Sequence, residues 1–309
     1  MDYELKKWLK ASFAMARVYN TYLFTFGLLF EISHTMKTWA TIFALMLMLP
    51  LAGEAQKNHP PVVSLDTLQR ITQLPVVTQN AFKPGEKLTY RVRYGFIQAG
   101  EISIEVKPTS RVFSGRKAHH IVGVGQTIRA FSWFYKMRDR YDSYIDAEGL
   151  FPWEFERDLK ESNYASHKKY RFYPDRGAVE THKGQTYATP HGVQDMISAF
   201  YYARTFDFSR AKPGDVFSVE SFMDEEIFNL QVKFLGRETI KTKKGTFRCM
   251  KFVPHVQEGR VFKKEESVVI WISDDANKIP VLAQADIVVG SIKIELEDYE
   301  GIANPLAMY

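Results

Sequence analysis

In Leu88-Thr89-Tyr90-Arg91-Val92-Arg93-Tyr94 the apolar side chains fall on every second position. Ile102, Ile104 and Val106 repeat the pattern against Glu101, Ser103 and Glu105. A period of two marks a strand with one face buried. Gly95 to Gly100 joins these two runs as a hairpin connection. The pattern predicts further strands at 119–126, 138–145, 153–159, 166–173 and 178–183. After Lys212-Pro213-Gly214-Asp215 it predicts strands at 216–222, 227–235, 238–242, 246–253, 265–273, 281–289 and 291–299. One segment breaks the alternation. Val193, Met196, Ile197, Phe200 and Tyr201 recur at helical spacing, so 191–205 is predicted as an amphipathic helix. A shorter helical turn is expected over 127–135.

Many short strands joined by tight turns predict a mainly β fold. Its form is an antiparallel meander curled into a barrel or half-barrel, with the helix packed on or inside it. The domain should span 82–300, with 301–309 as a C-terminal tail. Residues 56–81 carry Pro60, Pro61 and Pro75 and read as a flexible leader.

The N-terminal residues set the expected destination. Met36-Lys37 is followed by the apolar run Thr38 to Leu49, then Pro50, with small residues at Gly53 and Ala55. A positive start, a short apolar core and small residues are the marks of a secretory signal peptide over 36–55. The run is short for a bilayer span of about 20 residues. Residues 1–35 then read as an upstream extension ahead of the true start. The rival reading is a membrane hairpin with Tyr22–Phe30 as its first arm.

Composition narrows the function. Among 309 residues, 25% are charged and 14% aromatic, which excludes a disordered chain. The net charge is +5, but the Lys and Arg are scattered among acids, so no nucleic-acid footprint forms. Cys249 is the single cysteine, which leaves no intrachain disulfide and predicts a buried small hydrophobe. No cofactor is expected: Gly123-Val124-Gly125-Gln126-Thr127 lacks the lysine of a phosphate-binding loop. No Gly-x-Ser-x-Gly elbow is present. His119 and His120 are adjacent, so on a strand they face opposite sides, and no metal site is expected. The nearest carboxylate pairs are Asp139 with Asp142 and Glu154 with Glu156. The second pair shares a face opposite Trp153 and Phe155. Catalytic residues are therefore not assigned.

The densest chemical cluster is Trp133, Phe134 and Tyr135 with Arg138 and Arg140. Aromatic rings beside guanidinium groups suit a lipid headgroup, a sugar or a protein partner. The rival reading is a core lid, with the rings buried and the charges paired across strands.

The phrase Phe82-Lys83-Pro84-Gly85-Glu86-Lys87-Leu88-Thr89-Tyr90, then Tyr94-Gly95 and Ala99-Gly100-Glu101, resembles the opening of the domain-of-unknown-function 3108 family. The resemblance continues through Trp133-Phe134-Tyr135-Lys136, Arg138-Asp139-Arg140-Tyr141 and Asp195 to Tyr202, and it covers 82–300. It implies an exported bacterial protein with an antiparallel β architecture and does not imply an activity; the expected place is the periplasm or outer cell envelope of a bacterium. A half-barrel like that of periplasmic lipoprotein carriers is a further analogy.

Three functions remain open. The first is a non-catalytic binder of a hydrophobic ligand or an envelope protein partner. The second is a structural or assembly factor with a packed barrel. The third is a hydrolase with an unrecognised carboxylate or histidine site. An apolar cavity on the order of several hundred Å³ would favour the first, a packed interior the second, and converging acids or histidines the third.

Overall fold

The computed structural model describes residues 59–133, 135–254, 268–287 and 290–309. The signal-like segment, the residues before it and Phe134 lie outside them. In chain order the strands are β1 (Lys87–Tyr94), β2 (Ile97–Lys107), β3 (Val112–Phe113), β4 (Arg116–Thr127), β5 (Arg138–Asp146), β6 (Pro152–Glu161), β7 (Tyr164–Tyr173), β8 (Ala178–Thr181), β9 (Thr186–Ala188), β10 (Val216–Met223), β11 (Glu226–Lys241), β12 (Thr246–Pro254), β13 (Val268–Ser273), β14 (Pro280–Asp286) and β15 (Ser291–Glu300). They form one antiparallel sheet in the order β10-β11-β12-β13-β14-β15-β1-β2-β4-β5-β6-β7-β8-β9, with β3 paired to β4 outside this path. The sheet curls but does not close. Its two edges are β9 and β10. The first and last strands meet in its middle, with Leu88 opposite Tyr299 and Val92 opposite Ile294.

Alternation sets the concave face. Leu88, Tyr90 and Val92 of β1, Ile102, Ile104 and Val106 of β2, and Tyr141 and Ser143 of β5 are buried there. The one α-helix among the described residues, α1 (Met196–Ala203), lies against this face, packing on β5 and β10. It is shorter than the helical spacing predicts. Gly192 has φ of 79°. Gln194 pairs in extended form with Ser221 on the open edge of β10, so the chain stays extended to Asp195. There the Asp195 carboxylate accepts from the backbone N–H groups of Ile197 (2.7 Å) and Ser198 (2.8 Å), while Ser198 Oγ accepts from the Asp195 N–H. This reciprocal cap starts the helix. Its buried face is Met196, Ile197, Ala199 and Tyr201. Phe200, expected on that face, is half-buried.

The helix is tied down through its end. Arg204 follows α1 and is 3% exposed. Its Nη1 and Nη2 donate to the two carboxylate oxygens of Glu86 (2.6 and 2.8 Å), Nη2 donates to the Ala81 carbonyl (2.9 Å) and Nε donates to the Asn277 carbonyl (2.8 Å). Burial works against the Arg204 charge, but Glu86 outweighs it and holds the guanidinium above its ordinary range. Glu86 itself is fully buried, just before β1.

Other expectations shift in detail. The predicted strands 227–235 and 238–242 are one strand, β11, with a register shift between Phe234 and Gly236. Gly236 has φ of 131°, so the glycine that reads as a break is a bulge instead. Of the expected turn at 127–135, Thr127 closes β4 and residues 129–133 form turns without a helix, with the Ser132 N–H donating to Ile128 and the Tyr135 N–H to Phe131. Within the expected leader, Val63 N–H donates to Thr186 and Ala188 N–H donates to Pro61, so this segment covers the outer edge of β9. No helix among the described residues is long and apolar enough to cross a membrane.

Candidate functional site

A largely apolar concavity lies between α1 and the strands β10 to β13. Phe217 and Val219 of β10, Leu230 and Val232 of β11, Phe252 of β12 and Ile270 and Ile272 of β13 form its floor. Ala199, Phe200 and Ala203 of α1, with Phe206 and Phe208 just beyond, form the opposite wall. The pocket has a volume of about 140 Å³ and is open on one side. That is smaller than the several hundred Å³ usual for a drug-sized site. It matches a cavity that takes a benzene-sized group. Below it Phe208, Phe234, Met250 and Phe252 are packed and buried. Phe208 meets Phe252 edge-on, with centroids 5.1 Å apart. The depth of the pocket is therefore fixed by rings that cannot collapse without leaving voids.

Two cations line this pocket, and they differ. Arg204 is fully engaged by Glu86. Lys278 lies two residues before β14 and has φ of 49°. Its ammonium has no ion pair within 4 Å among the described residues, although its backbone N–H donates to Asp275 Oδ1 at 3.3 Å. Burial lowers its tendency to stay protonated, and the neighbouring Arg204 lowers it further, against the Asp207 and Asp275 charges, which favour its protonated form. An ammonium held near an apolar wall beside a second cation is suited to an anionic group.

Among the described residues singled out from sequence, Trp133, Tyr135 and Arg140 do not converge on one site. Trp133 is 84% exposed on the β4–β5 loop. Tyr135 is half-buried, and its hydroxyl donates to Glu161 Oε2 at 2.7 Å. Arg138 is exposed at the start of β5. Arg140 donates from Nε and Nη2 to the two Asp142 oxygens at 2.7 Å each. Asp142 also meets His120 Nε2 at 2.8 Å. The rings thus diverge, Trp133 to solvent and Tyr135 toward a buried acid, while Arg140 spends its donors on a strand neighbour. His119 contacts Phe82 on the other face of β4.

A second polar cluster sits inside the sheet. Asp224 and Glu225, with φ of 52° and 64°, form the two-residue turn joining β10 to β11. Arg157 Nη2 and Lys168 Nζ each donate to Asp224 Oδ1 at 2.7 Å. Burial opposes the Asp224 charge, but these two cations outweigh it and keep its pKa low. These contacts tie the β10–β11 hairpin tip to β6 and β7. Nearby Asp139 is fully buried, and burial, with the Glu161 charge, pushes its pKa up to about 7. Its Oδ1 accepts from the Lys160 N–H at 3.1 Å, and its Oδ2 has no hydrogen-bond partner among the described residues. Glu154 pairs with Arg111 at 2.8 Å and Glu156 lies 3.8 Å from His167, both on the solvated side of β6. Cys249 is fully buried in β12, and burial first, then nearby acids, push its thiol up to about 12. The described residues hold no group of three or more His, Cys, Asp or Glu placed to bind a metal.

The family model described as a protein of unknown function, DUF3108, matches residues 89–297, well over half the chain. The chain belongs to the DUF3108 family. No curated protein matches its sequence. Among solved structures, this DUF3108 protein is similar to a β-barrel-like protein of domain of unknown function DUF1849 from Brucella abortus. The two are 10% identical, with 73% of this chain and 99% of that one covered and a TM-score of 0.46. It is also similar to a candidate lipoprotein from Parabacteroides distasonis, at 13% identity, 74% and 100% coverage and a TM-score of 0.28. A third is a candidate exported protein with a YmcC-like fold from Bacteroides fragilis, at 12% identity, 74% and 100% coverage and a TM-score of 0.29. At such identities and scores these likenesses carry no ligand, partner or activity to the DUF3108 chain.

Neither Lys278 nor the pocket floor stands out in the sequence. Lys278 lies between the predicted strands 265–273 and 281–289, and Leu230, Val232, Phe252 and Ile272 alternate like any core strand. Only the contrast between packed and half-buried members of one face distinguishes a pocket from a core.

Proposed function

We propose that this protein is a non-catalytic binder of a small hydrophobic ligand carrying one anionic group, held between α1 and β10–β13. The observation that carries this reading is the phenylalanine-lined pocket of about 140 Å³ with Lys278 on its lining. A benzene-sized or short acyl portion fills the apolar part, and a longer chain leaves through the open side. Lys278 meets the anionic end. The signal-like segment at 36–55 supports an exported, envelope-located setting, where such amphiphiles are abundant.

The test uses the purified full chain and anilinonaphthalene sulfonate, an aromatic anion whose phenyl ring matches the apolar part while the naphthalene sulfonate extends through the open side. The dye is expected to saturate with enhanced fluorescence and to be displaced by medium-chain fatty acids. Leu230→Trp fills the pocket from β11 and should abolish saturation. Lys278→Ala should weaken the dye by roughly ten- to a hundredfold, since a charge-assisted contact contributes about 1.5–3 kcal/mol. Both variants should melt near the wild-type temperature. A wild-type chain that shows no saturable dye binding, or a Leu230→Trp variant that binds as well, refutes the proposal.

A further inference from the structure

One end of the sheet carries three strongly exposed aromatic side chains on neighbouring tips; Tyr309, 78% exposed, lies beside Thr246 at the start of β12, at the other end. Phe96, at the β1–β2 tip, is 87% exposed, and Ile97 beside it is 45% exposed. Trp133, on the β4–β5 loop, is 84% exposed, and Tyr164, at the β6–β7 turn, is 57% exposed. The register brings these tips together. Gly100 of β2 pairs with Thr127 of β4, and the Ile128 N–H donates to the Ala99 carbonyl at 3.1 Å, so the β4–β5 loop leaves the sheet beside the β1–β2 tip. Met137 bridges to Glu161, and the Ser162 N–H donates to the Lys136 carbonyl at 2.7 Å, so the β6–β7 turn flanks the same loop.

Charge on this rim has one sign at its centre. The β4–β5 connection, residues 128–137, together with Arg138 at the start of β5, contains Arg129, Lys136 and Arg138 and no acid. All three cations are exposed. Asp139 and Glu161 are buried beneath the loop, and half-buried Glu101 lies two strands from Arg138, in register with it through Gln126. At the edge of the rim, Lys160 and Asp158 neutralise one another at 2.6 Å.

We propose that this rim is a docking surface for an anionic lipid bilayer. Separated tips, each carrying one large ring, suit insertion between headgroups better than they suit a flat protein interface. Trp and Tyr favour the membrane–water boundary because one part of the ring system is apolar and another is polar. Arg129, Lys136 and Arg138 sit around Trp133, where they meet lipid phosphates as the ring enters the headgroup layer. The sheet then stands end-on to the bilayer. This inference rests on residues outside the α1 pocket and is independent of what that pocket holds.

The test is hydrogen–deuterium exchange of the full chain with and without vesicles. One set is phosphatidylglycerol with phosphatidylethanolamine, the other phosphatidylcholine alone. Site resolution separates the rim from any binding by the N-terminal apolar runs. Peptides covering 94–98, 128–133 and 162–165 are expected to gain protection with the anionic vesicles and little with the neutral ones. In the double variant Phe96→Ser/Trp133→Ser, protection at 162–165 should be lost. In the triple variant Arg129→Gln/Lys136→Gln/Arg138→Gln, the difference between vesicle types should vanish. Thermal melts of both variants should match wild type. Unchanged exchange at the three tips with anionic vesicles overturns the proposal. So does protection that survives both sets of substitutions, or rim protection produced by a protein partner and never by vesicles.

Discussion

Replacing Arg204 by methionine is expected to destabilise the protein by about 3–5 kcal/mol, read as a lowered denaturant midpoint at unchanged slope. Removing one member of a buried ion pair leaves the other charged and without its partner. Here the stranded group is Glu86, fully buried. The loss is larger than that of a surface pair, which contributes about 0–1 kcal/mol, because Arg204 also satisfies the Ala81 and Asn277 carbonyls. Glu86→Gln should cost a similar amount by stranding the guanidinium. The double variant Glu86→Gln/Arg204→Met should cost clearly less than the sum, since neither charge then remains. The tie joins the end of α1 to the start of β1, so its loss should also loosen the pocket wall. Additive single effects would show that the two side chains do not act as a pair.

Asp139→Asn is expected to make the protein more stable than wild type at pH 8, by up to roughly 4 kcal/mol. The acid's folded pKa lies near 7 against an ordinary 3.8. Each pH unit between those values corresponds to about 1.4 kcal/mol. The sign follows from which state holds the proton. Between pH 4 and 7 the folded chain keeps Asp139 protonated while the unfolded chain has released it, so stability falls as pH rises. The contribution is fully present below pH 4 and gone by about pH 7. Asparagine retains the oxygen that accepts from the Lys160 N–H and carries no charge to bury. Urea denaturation from pH 4 to 8 should show the wild-type curve falling relative to the variant across that window. Parallel curves would mean that Asp139 is ionised in the folded protein throughout.

Much of the sheet was legible because its chemistry repeats at the period of a strand. Leu88, Tyr90 and Val92 are buried as their alternation requires. The errors fall where local signals have two meanings. Gly236 looks like a turn residue, yet with strand pairing on both sides of it a positive φ makes a bulge. The helix pattern extends back to Val193, but Gln194 is taken by the β10 edge, a contact 27 residues away that no local pattern records. The site was harder still. Glu86 and Arg204 each lie in or beside a phrase that the sequence singled out, but their pairing spans 118 residues. Trp133 and Tyr135 read as one aromatic cluster, although their rings end in different environments. Alternation says which face a ring takes in a strand, and these two lie in a loop.

The pairing of β1 with β15 imposes an order on folding. Every other neighbour along the sheet follows within a few tens of residues, so each half of the meander gains its contacts as it is made. The seam between residues 87–94 and 291–300 closes a loop of about two hundred residues, the slowest kind of contact to form. A chain delivered N-terminus first holds the β1 edge unpaired until its last strand arrives. That edge is Tyr90, Val92 and their neighbours, a ready template for a foreign strand. Arg91 and Arg93 lie on the solvent side of the same strand, and their charge discourages association during the wait. Aggregation of this protein should therefore be governed by the delay before its C-terminus is available, and a chain ending before Ser291 should be trapped with that edge open.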